Sequence, residues 1–259
     1  MYTLNVMSFN IRGDFDSGTE AWSSRKQNAA NIIIAENPDL IGFQEVMNHQ
    51  YEDLVSLLPD YNHVGVGRDD GAALGERAAI FFKKERFTQL ETSSFWLSET
   101  PDKPSFGWDA ACIRICTYVK LADKISGRDF YHFNTHLDHM GKTAMVEGAK
   151  LVRDTVLDKG APAIITGDFN VVENAPAYSV MTEPGLCDAK YSAADSMSYG
   201  TFHGFNPPNE RLSKASPIDY IFYTQEDFNS LRYKVLVNGN VGEYSSDHYP
   251  ITAGLGFKI

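Results

Sequence analysis

Six runs of strand-forming residues in this chain each end in a short polar motif, and that pattern constrains the fold more than any other feature. The motifs are Met7-Ser8-Phe9-Asn10, Gly42-Phe43-Gln44-Glu45, Phe133-Asn134-Thr135-His136, Gly167-Asp168-Phe169-Asn170, Ile218-Asp219-Tyr220 and Ser246-Asp247-His248. A buried polar group without a partner costs about 1–3 kcal/mol, so each strand end needs water, a protein partner or a ligand. Ends this rich in Asp, Asn, Glu and His read as one shared hole. It would offer oxygen ligands to a hard cation, and histidines for proton transfer or phosphate contact.

The periodicity predicts strands near 3–10, 40–43, 61–67, 78–83, 93–97, 111–121, 129–135, 163–166, 218–223, 233–237 and 251–257. Helices are expected at 22–36, where Pro38 enforces the stop, at about 50–58, and at 143–157 with Met145, Ala149, Val152 and Val156 at helical spacing. The last third is β-rich with few long helices, which a single parallel βαβ sheet does not accommodate. Two packed mixed sheets flanked by helices fit better, within one domain over 1–259. The loops 67–76, 98–110 and 192–216 are long, polar or Gly/Pro-bearing, as functional rims tend to be.

Composition removes several classes. Hydrophobic content of 43% and charged content of 22% describe an ordinary globular chain. No apolar stretch approaches the ~20 residues that cross a bilayer, so stable membrane insertion is not expected. The start lacks a basic n-region and a long apolar h-region, which favours a cytoplasmic location, although a leader removed beforehand would leave the same N-terminus. Cys112, Cys116 and Cys187 are odd in number and read as free thiols in a reducing compartment. A net charge of −11 argues against a broad basic surface for nucleic acid. It does not exclude a nuclease, because a bound divalent metal supplies local positive charge. No protein partner is implied.

Asp168 and Asn170 lie two apart after a strand, so in extended geometry both face one way and could share a cation or a phosphate; the same Gly-Asp-Phe-Asn also reads as a turn. Glu45 follows a fully apolar strand, where its carboxylate needs a cation, a donor or a capping role. Asn10 has the same two readings, as ligand or as structural amide. Among the histidines, His136, His139, His203 and His248 sit at strand ends or turns, and Asp219 is a candidate for fixing the tautomer of His248. For each histidine taken alone, a surface or satisfied core position is equally in order.

Taken together, the motifs resemble the endonuclease/exonuclease/phosphatase superfamily, which includes pancreatic-type DNases, abasic-site endonucleases, deadenylase nuclease domains, sphingomyelinases and inositol-polyphosphate 5-phosphatases. The resemblance runs from Asn10 to His248, and Gly167-Asp168-Phe169-Asn170 with Ser246-Asp247-His248 is its most specific pair. It implies an α/β, four-layered sandwich of two mixed sheets with the site at their rim, and Mg2+ as cofactor, with Mn2+ able to substitute. It further implies that Asn10, Glu45 and Asp247 form the main metal environment. Asp168 and Asn170 would handle the nucleophilic water, the phosphate and, in some members, a second metal. His248 would contact phosphate and act as base, oriented by Asp219. His136 resembles the second histidine of the DNase and deadenylase branches, with Glu76 where DNases place its carboxylate partner.

The 5-phosphatase signatures are absent, and the stretch from Gly167 to Tyr178 is closest to the deadenylase-like branch and small bacterial relatives. Rim candidates for substrate contact are Arg68, Trp108, Arg114 and His203, with Phe202 and Phe205 as further stacking aromatics. Arg68 and Arg114 could equally be held in salt bridges, and the aromatics in ordinary packing. The leading reading is a Mg2+-dependent phosphodiesterase or nuclease using in-line attack of water. The alternative is a phosphomonoesterase on a sugar phosphate or phosphoinositide, and a remote one is a non-catalytic binding protein with this fold. The substrate is then nucleic acid or a small phosphate ester.

Overall fold

The computed structural model describes residues 3–206, 210, 215–237 and 244–258. Of the loop expected at 192–216, positions 207–209 and 211–214 lie outside the described residues. Strands β1 (Thr3–Asn10), β2 (Leu40–Val46), β3 (Tyr61–Val64), β4 (Arg77–Lys83), β10 (Asp195–Met197), β12 (Phe228–Val235) and β13 (Ile251–Phe257) form one mixed sheet, ordered β10-β12-β13-β1-β2-β4-β3. The second sheet holds β5 (Phe87–Trp96), β6 (Ile115–Asp123), β7 (Asp129–His136), β8 (Ala163–Asp168), β9 (Leu186–Asp188) and β11 (Asp219–Thr224), ordered β5-β6-β7-β8-β11-β9. The expected sandwich of two mixed sheets is the observed one.

Three hydrophobic clusters correspond to the three interfaces of four layers. Leu4, Val6, Leu40, Ile80 and Phe82 meet Phe130, Ile164 and Ile221 between the sheets. Helix α1 (Trp22–Glu36) and helix α2 (Asn48–Leu57) cover the outer face of the first sheet through Trp22, Ala29, Ile33 and Leu54 against Phe9, Ile41 and Phe43. Helix α3 (Lys142–Asp158) and helix α4 (Pro176–Met181) cover the second through Ala149, Val152, Val156 and Met181 against Phe133, Ile165 and Phe222. Asn37 ends α1 in the left-handed region, φ 49°, donating its N–H to Ile33 O before Pro38 forbids another turn.

Strand parity positions the site. Successive side chains point to opposite faces, so on β1 Met7 and Phe9 meet the helices while Leu4 and Val6 look into the inter-sheet core. Continuing that inner row gives Ser8 and then Asn10. On β7 the inner row is Phe130, His132, Asn134, His136; on β8 it is Ile164, Thr166, Asp168; on β11 it is Tyr223, Ile221, Asp219. The inter-sheet layer therefore changes along the strands from apolar, through a polar seam, to charged. In the seam, Asn134 Oδ1 accepts from Gln44 Nε2 at 2.7 Å and Thr166 Oγ1 at 3.0 Å, while its Nδ2 donates to Phe43 O and Ala79 O. Gly42 permits that close approach: a Cβ there would lie 1.9 Å from Thr166 Oγ1. Asn134, Gln44 and Ser8 thus serve the seam rather than the hole at the strand ends.

Several element boundaries differ from the periodicity reading. The strand expected at 93–97 is the end of a ten-residue strand starting at Phe87, and the one expected at 233–237 is Phe228–Val235. The strand expected from 111 begins at Ile115, because Asp138 Oδ2 draws the N–H groups of Ala111 and Cys112 into a loop. The strand near 61–67 stops at Val64. The short α4, β9, β10 and the one-turn helix α5 (Ala189–Ser192) are too brief to show a period. No helix among the described residues is long and apolar enough to cross a membrane.

Candidate active site

Glu45 reaches the site only because the backbone breaks its own alternation. Odd positions of β2, Ile41 and Phe43, face the helices, and an extended Glu45 would follow them. Instead Glu45 adopts φ 60°, at a register irregularity of the β2–β4 pair between Phe43 and Val46. Left-handed backbone is strained for a residue with a side chain, and here it turns the carboxylate inward. Glu45 Oε1 accepts from Asn10 Nδ2 at 3.0 Å and Oε2 from the Gly13 N–H at 3.0 Å. Burial raises its pKa, but these two donors together with the charges of His248 and Arg12 outweigh it, and the carboxyl is held below its ordinary range.

Asn10 is fully buried and acts as a clamp between carboxylates. Its Nδ2 also donates to Asp168 Oδ2 at 2.9 Å, and its Oδ1 accepts from the Arg12 N–H at 2.9 Å. In this arrangement Asn10 orients Glu45 and Asp168, and its Oδ1 keeps a second lone pair for the ligand role expected of it.

Asp168 is the hub. Its Oδ2 lies 3.5 Å from His136 Nε2 and 3.7 Å from His248 Nε2, and its Oδ1 accepts from the Asn170 N–H at 2.9 Å. It pairs across the sheet with Asp219 on one side and His136 on the other. Asn170, left-handed at φ 52°, turns its amide nitrogen to within 2.9 Å of His136 Nε2 and 3.1 Å of Leu137 O. On the other side, His248 Nδ1 lies 2.9 Å from Asp219 Oδ2.

The two histidines are driven apart. Burial lowers the pKa of both. For His136 the nearby Arg114 and Arg68 add to that, and the imidazole is neutral. For His248 the carboxylates of Asp219 and Asp168 outweigh burial and hold it as an imidazolium. Burial and the facing Asp219 raise Asp168, while burial and Glu45 raise Asp247.

These groups open into a cavity of about 320 Å3 lined by Glu45, Glu76, His136, Asp168, Asn170, Asp247 and His248 with Arg12, Arg68 and Arg114. Of the rim candidates, Arg68, Arg114 and Phe202 line it. Trp108, half-buried, and His203, buried, do not. Phe202 and His203 point oppositely along an extended segment; with Phe202 at the cavity, His203 packs its ring 4.4 Å from Tyr249. Phe205 packs instead against Tyr244 and Arg25. Glu76 is near His136 but 3.9 Å from its Nδ1, and its Oε2 accepts from Arg68 at 2.6 Å.

Sequence reasoning missed Arg12, Phe15 and Arg25. Arg12 bonds Asp16 and lies 3.8 Å from Asp247 and 4.0 Å from Glu45. Its position two residues after Asn10 was the available signal. Arg25 is completely buried on α1 and donates to Ile11 O, Arg12 O, Glu20 O and Ser245 O, tying the end of β1 to the segment that carries Asp247.

Among the described residues, two groups converge closely enough to hold an ion. Glu45, Asp168 and His248 offer atoms within 4.8 Å of one another, as do Cys112, Asp138 and His139. The second set is saturated: Asp138 accepts four backbone N–H groups and sits 3.5 Å from Arg114, which also reaches His139 Nδ1 at 3.0 Å. The first is less fully bonded: Arg12 stands 4.0 Å from Glu45, His248 Nε2 3.7 Å from Asp168, and Asp247 Oδ1 4.0 Å from the same nitrogen. Carboxylate oxygens are the donors a hard divalent cation takes in preference to imidazole nitrogen, and Glu45, Asp168 and Asp247 supply them here.

Residues 7–248 match the sequence model of the Endonuclease/Exonuclease/phosphatase family. The chain belongs to that family. Its members are phosphate-ester hydrolases, generally dependent on a divalent metal. An endonuclease/exonuclease/phosphatase from Bacteroides vulgatus is 35% identical, each chain covering 100% of the other, with a TM-score of 0.93. A mannosyl-6-phosphatase from Bacteroides thetaiotaomicron is 38% identical over 98% of this chain and 100% of its own, with a TM-score of 0.90. The catalytic domain of human nocturnin shares the fold, with a TM-score of 0.76 at 22% identity over 99% of this chain and 94% of that one.

Proposed function

We propose that this family member is a Mg2+-dependent phosphomonoesterase acting on a small sugar phosphate. The observation that carries the reading is the charge of the cavity once a divalent cation is bound: Arg12, Arg68, Arg114 and a cationic His248 line a space of about 320 Å3. They equal in number the carboxylates Glu45, Glu76, Asp168 and Asp247, so a bound cation leaves the site net positive. A monoester carries nearly two negative charges at neutral pH, a diester one, so a site made net positive by its divalent cation suits the monoester. The volume lies at the small end of ligand pockets. The 38% identity to a mannosyl-6-phosphatase supports the same class, as does the net charge of −11, which opposes long nucleic acid. The phosphodiester preferred from the sequence alone is therefore the second reading.

In this proposal Glu45, Asp168 and Asp247 hold the cation, which when bound supplies Lewis-acid stabilisation of charge on the phosphoryl oxygens. Arg114 and Arg68 bind the dianion. His248, kept cationic by Asp219, donates a hydrogen bond to a phosphoryl oxygen. Asp168, oriented by the Asn10 amide and the Asn170 N–H, accepts the proton of the attacking water. Asn170 and His136 hold each other at the edge of that water's position. The test is phosphate release from hexose 6-phosphates and glycerol 3-phosphate beside cleavage of a short single-stranded oligonucleotide, each with Mg2+ and with EDTA. Metal-dependent phosphate release is expected; oligonucleotide cleavage without release from any monoester would overturn the reading.

A further inference from the structure

Among the residues that line the cavity, two carry large rings that water still reaches: Phe15 is 59% exposed and Phe202 37%. An exposed Phe forgoes most of the stabilisation its burial would bring, yet Phe15 is not on a loose loop. On its N-terminal side, Asp14 accepts from the Trp22 N–H at 3.0 Å and pairs with His49 at 3.0 Å. On its C-terminal side, Asp16 takes two hydrogen bonds from Arg12, at 2.9 and 3.3 Å. The Phe15 N–H bonds Gly13 O, and the ring lies so close over Gly13 that a Cβ there would meet it at 2.3 Å. The Arg12 guanidinium stands 5.7 Å from the ring centroid. Phe202 is likewise fixed, bridged through its backbone to Ser216 and His248, its ring 4.9 Å from the His248 ring.

Both rings are held in place at the mouth of a cavity whose floor is ionic. We propose that Phe15 and Phe202 form a ring-stacking subsite that takes the apolar face of a cyclic leaving group, a hexose, while the arginines hold its phosphate. This rests on the phosphomonoesterase reading and names the part of the substrate that the ionic floor does not. Aromatic faces stack on the C–H face of a sugar ring through dispersion and the ring quadrupole, and an acyclic alcohol offers no such face. Phe15, whose ring lies over Gly13 and beside Arg12, sets specificity rather than rate.

The experiment compares wild type, Phe15→Ala and Phe15→Trp on hexose 6-phosphate and glycerol 3-phosphate with Mg2+, with thermal unfolding as a fold control. Phe15→Ala is expected to lower kcat/KM for the hexose phosphate about tenfold, through KM, and to leave glycerol phosphate within about twofold. Phe15→Trp should retain the hexose preference. Equal losses on both substrates, or none on either, would overturn the subsite. If wild type releases phosphate from neither, the phosphomonoesterase reading fails on its own. The same variants are then read on a dinucleotide against an acyclic dialkyl phosphate: a loss confined to the dinucleotide replaces the hexose by a base, and equal behaviour removes the subsite.

Discussion

Asp219 Oδ2 lies 2.9 Å from His248 Nδ1, and both side chains are almost wholly buried. The carboxylate fixes which nitrogen of the ring faces Asp168 and stabilises its protonated form. Asp219→Asn preserves the shape but removes the charge. It should lower kcat by ~10²–10⁴-fold with little change in KM, the range found when a positioned acid or base loses its orienting partner. The check is steady-state kinetics on whichever phosphate ester wild type cleaves, beside circular dichroism to confirm the fold. Activity within tenfold of wild type would remove His248 from the proposed chemistry.

Burial, with Asp219 for Asp168 and Glu45 for Asp247, raises the pKa of both aspartates, so holding their charges together costs stability unless a cation joins them. Asp168→Asn should therefore raise Tm in EDTA while abolishing turnover, an instance of function held at the expense of stability. Wild type should gain stability from Mg2+, about 2.7 kcal/mol at a hundredfold excess over Kd, and the variant much less. Differential scanning fluorimetry with and without Mg2+ reads both effects. A variant less stable than wild type in EDTA would contradict the charge argument.

Arg25 binds four backbone carbonyls from three segments and no carboxylate. Burial lowers its pKa, and the nearby charge of Asp247 only partly offsets that. Arg25→Met removes the donor those carbonyls share and should cost ~3–5 kcal/mol in urea unfolding. It should also weaken the Mg2+-induced rise in Tm, because Arg12 and Asp247 lose their common anchor. Arg25→Lys should recover part of both. A large stability loss with the full Mg2+ response would show that Arg25 serves the fold alone.

What was legible in the sequence was chemistry at strand ends. Asn10, His136, Asp168 and Asp219 follow from period-two parity once the inner face of each strand is known, and the apolar residues that define that face are plain in the sequence. Glu45 is different: parity sends it toward the helices, and only the left-handed kink at φ 60° brings it in. A non-glycine residue in that conformation leaves no mark in a sequence. Phe202 and His203 were both substrate candidates in the sequence, and of the two neighbours it is the phenylalanine that lines the cavity. Asn134 and Gln44 had the right composition for the site but lie one inner-row step short of it, where the need is to satisfy polar groups between sheets. Arg12, Phe15 and Arg25 were hidden because their roles depend on loops folding back against β2 and on the segment before β13.

His132 occupies that seam, fully buried, its Nε2 2.9 Å from Thr166 Oγ1 and its Nδ1 without a hydrogen-bond partner among the described residues. Burial pushes its pKa from 6.5 down to about 3. The unfolded chain therefore takes up a proton below about pH 6.5 that the folded chain refuses until about pH 3. Protons favour the unfolded state throughout that window, so stability falls as pH drops. At pH 5 this single group should cost roughly 2 kcal/mol relative to neutral pH, from about 1.36 kcal/mol per unit. His132→Gln cannot titrate and should lose that much less between pH 7 and pH 5 in urea unfolding, whatever its stability at pH 7. Other groups titrate over the same range in both proteins, and the difference between the two slopes isolates His132. Identical slopes would mean that the imidazole takes up its proton inside the folded protein.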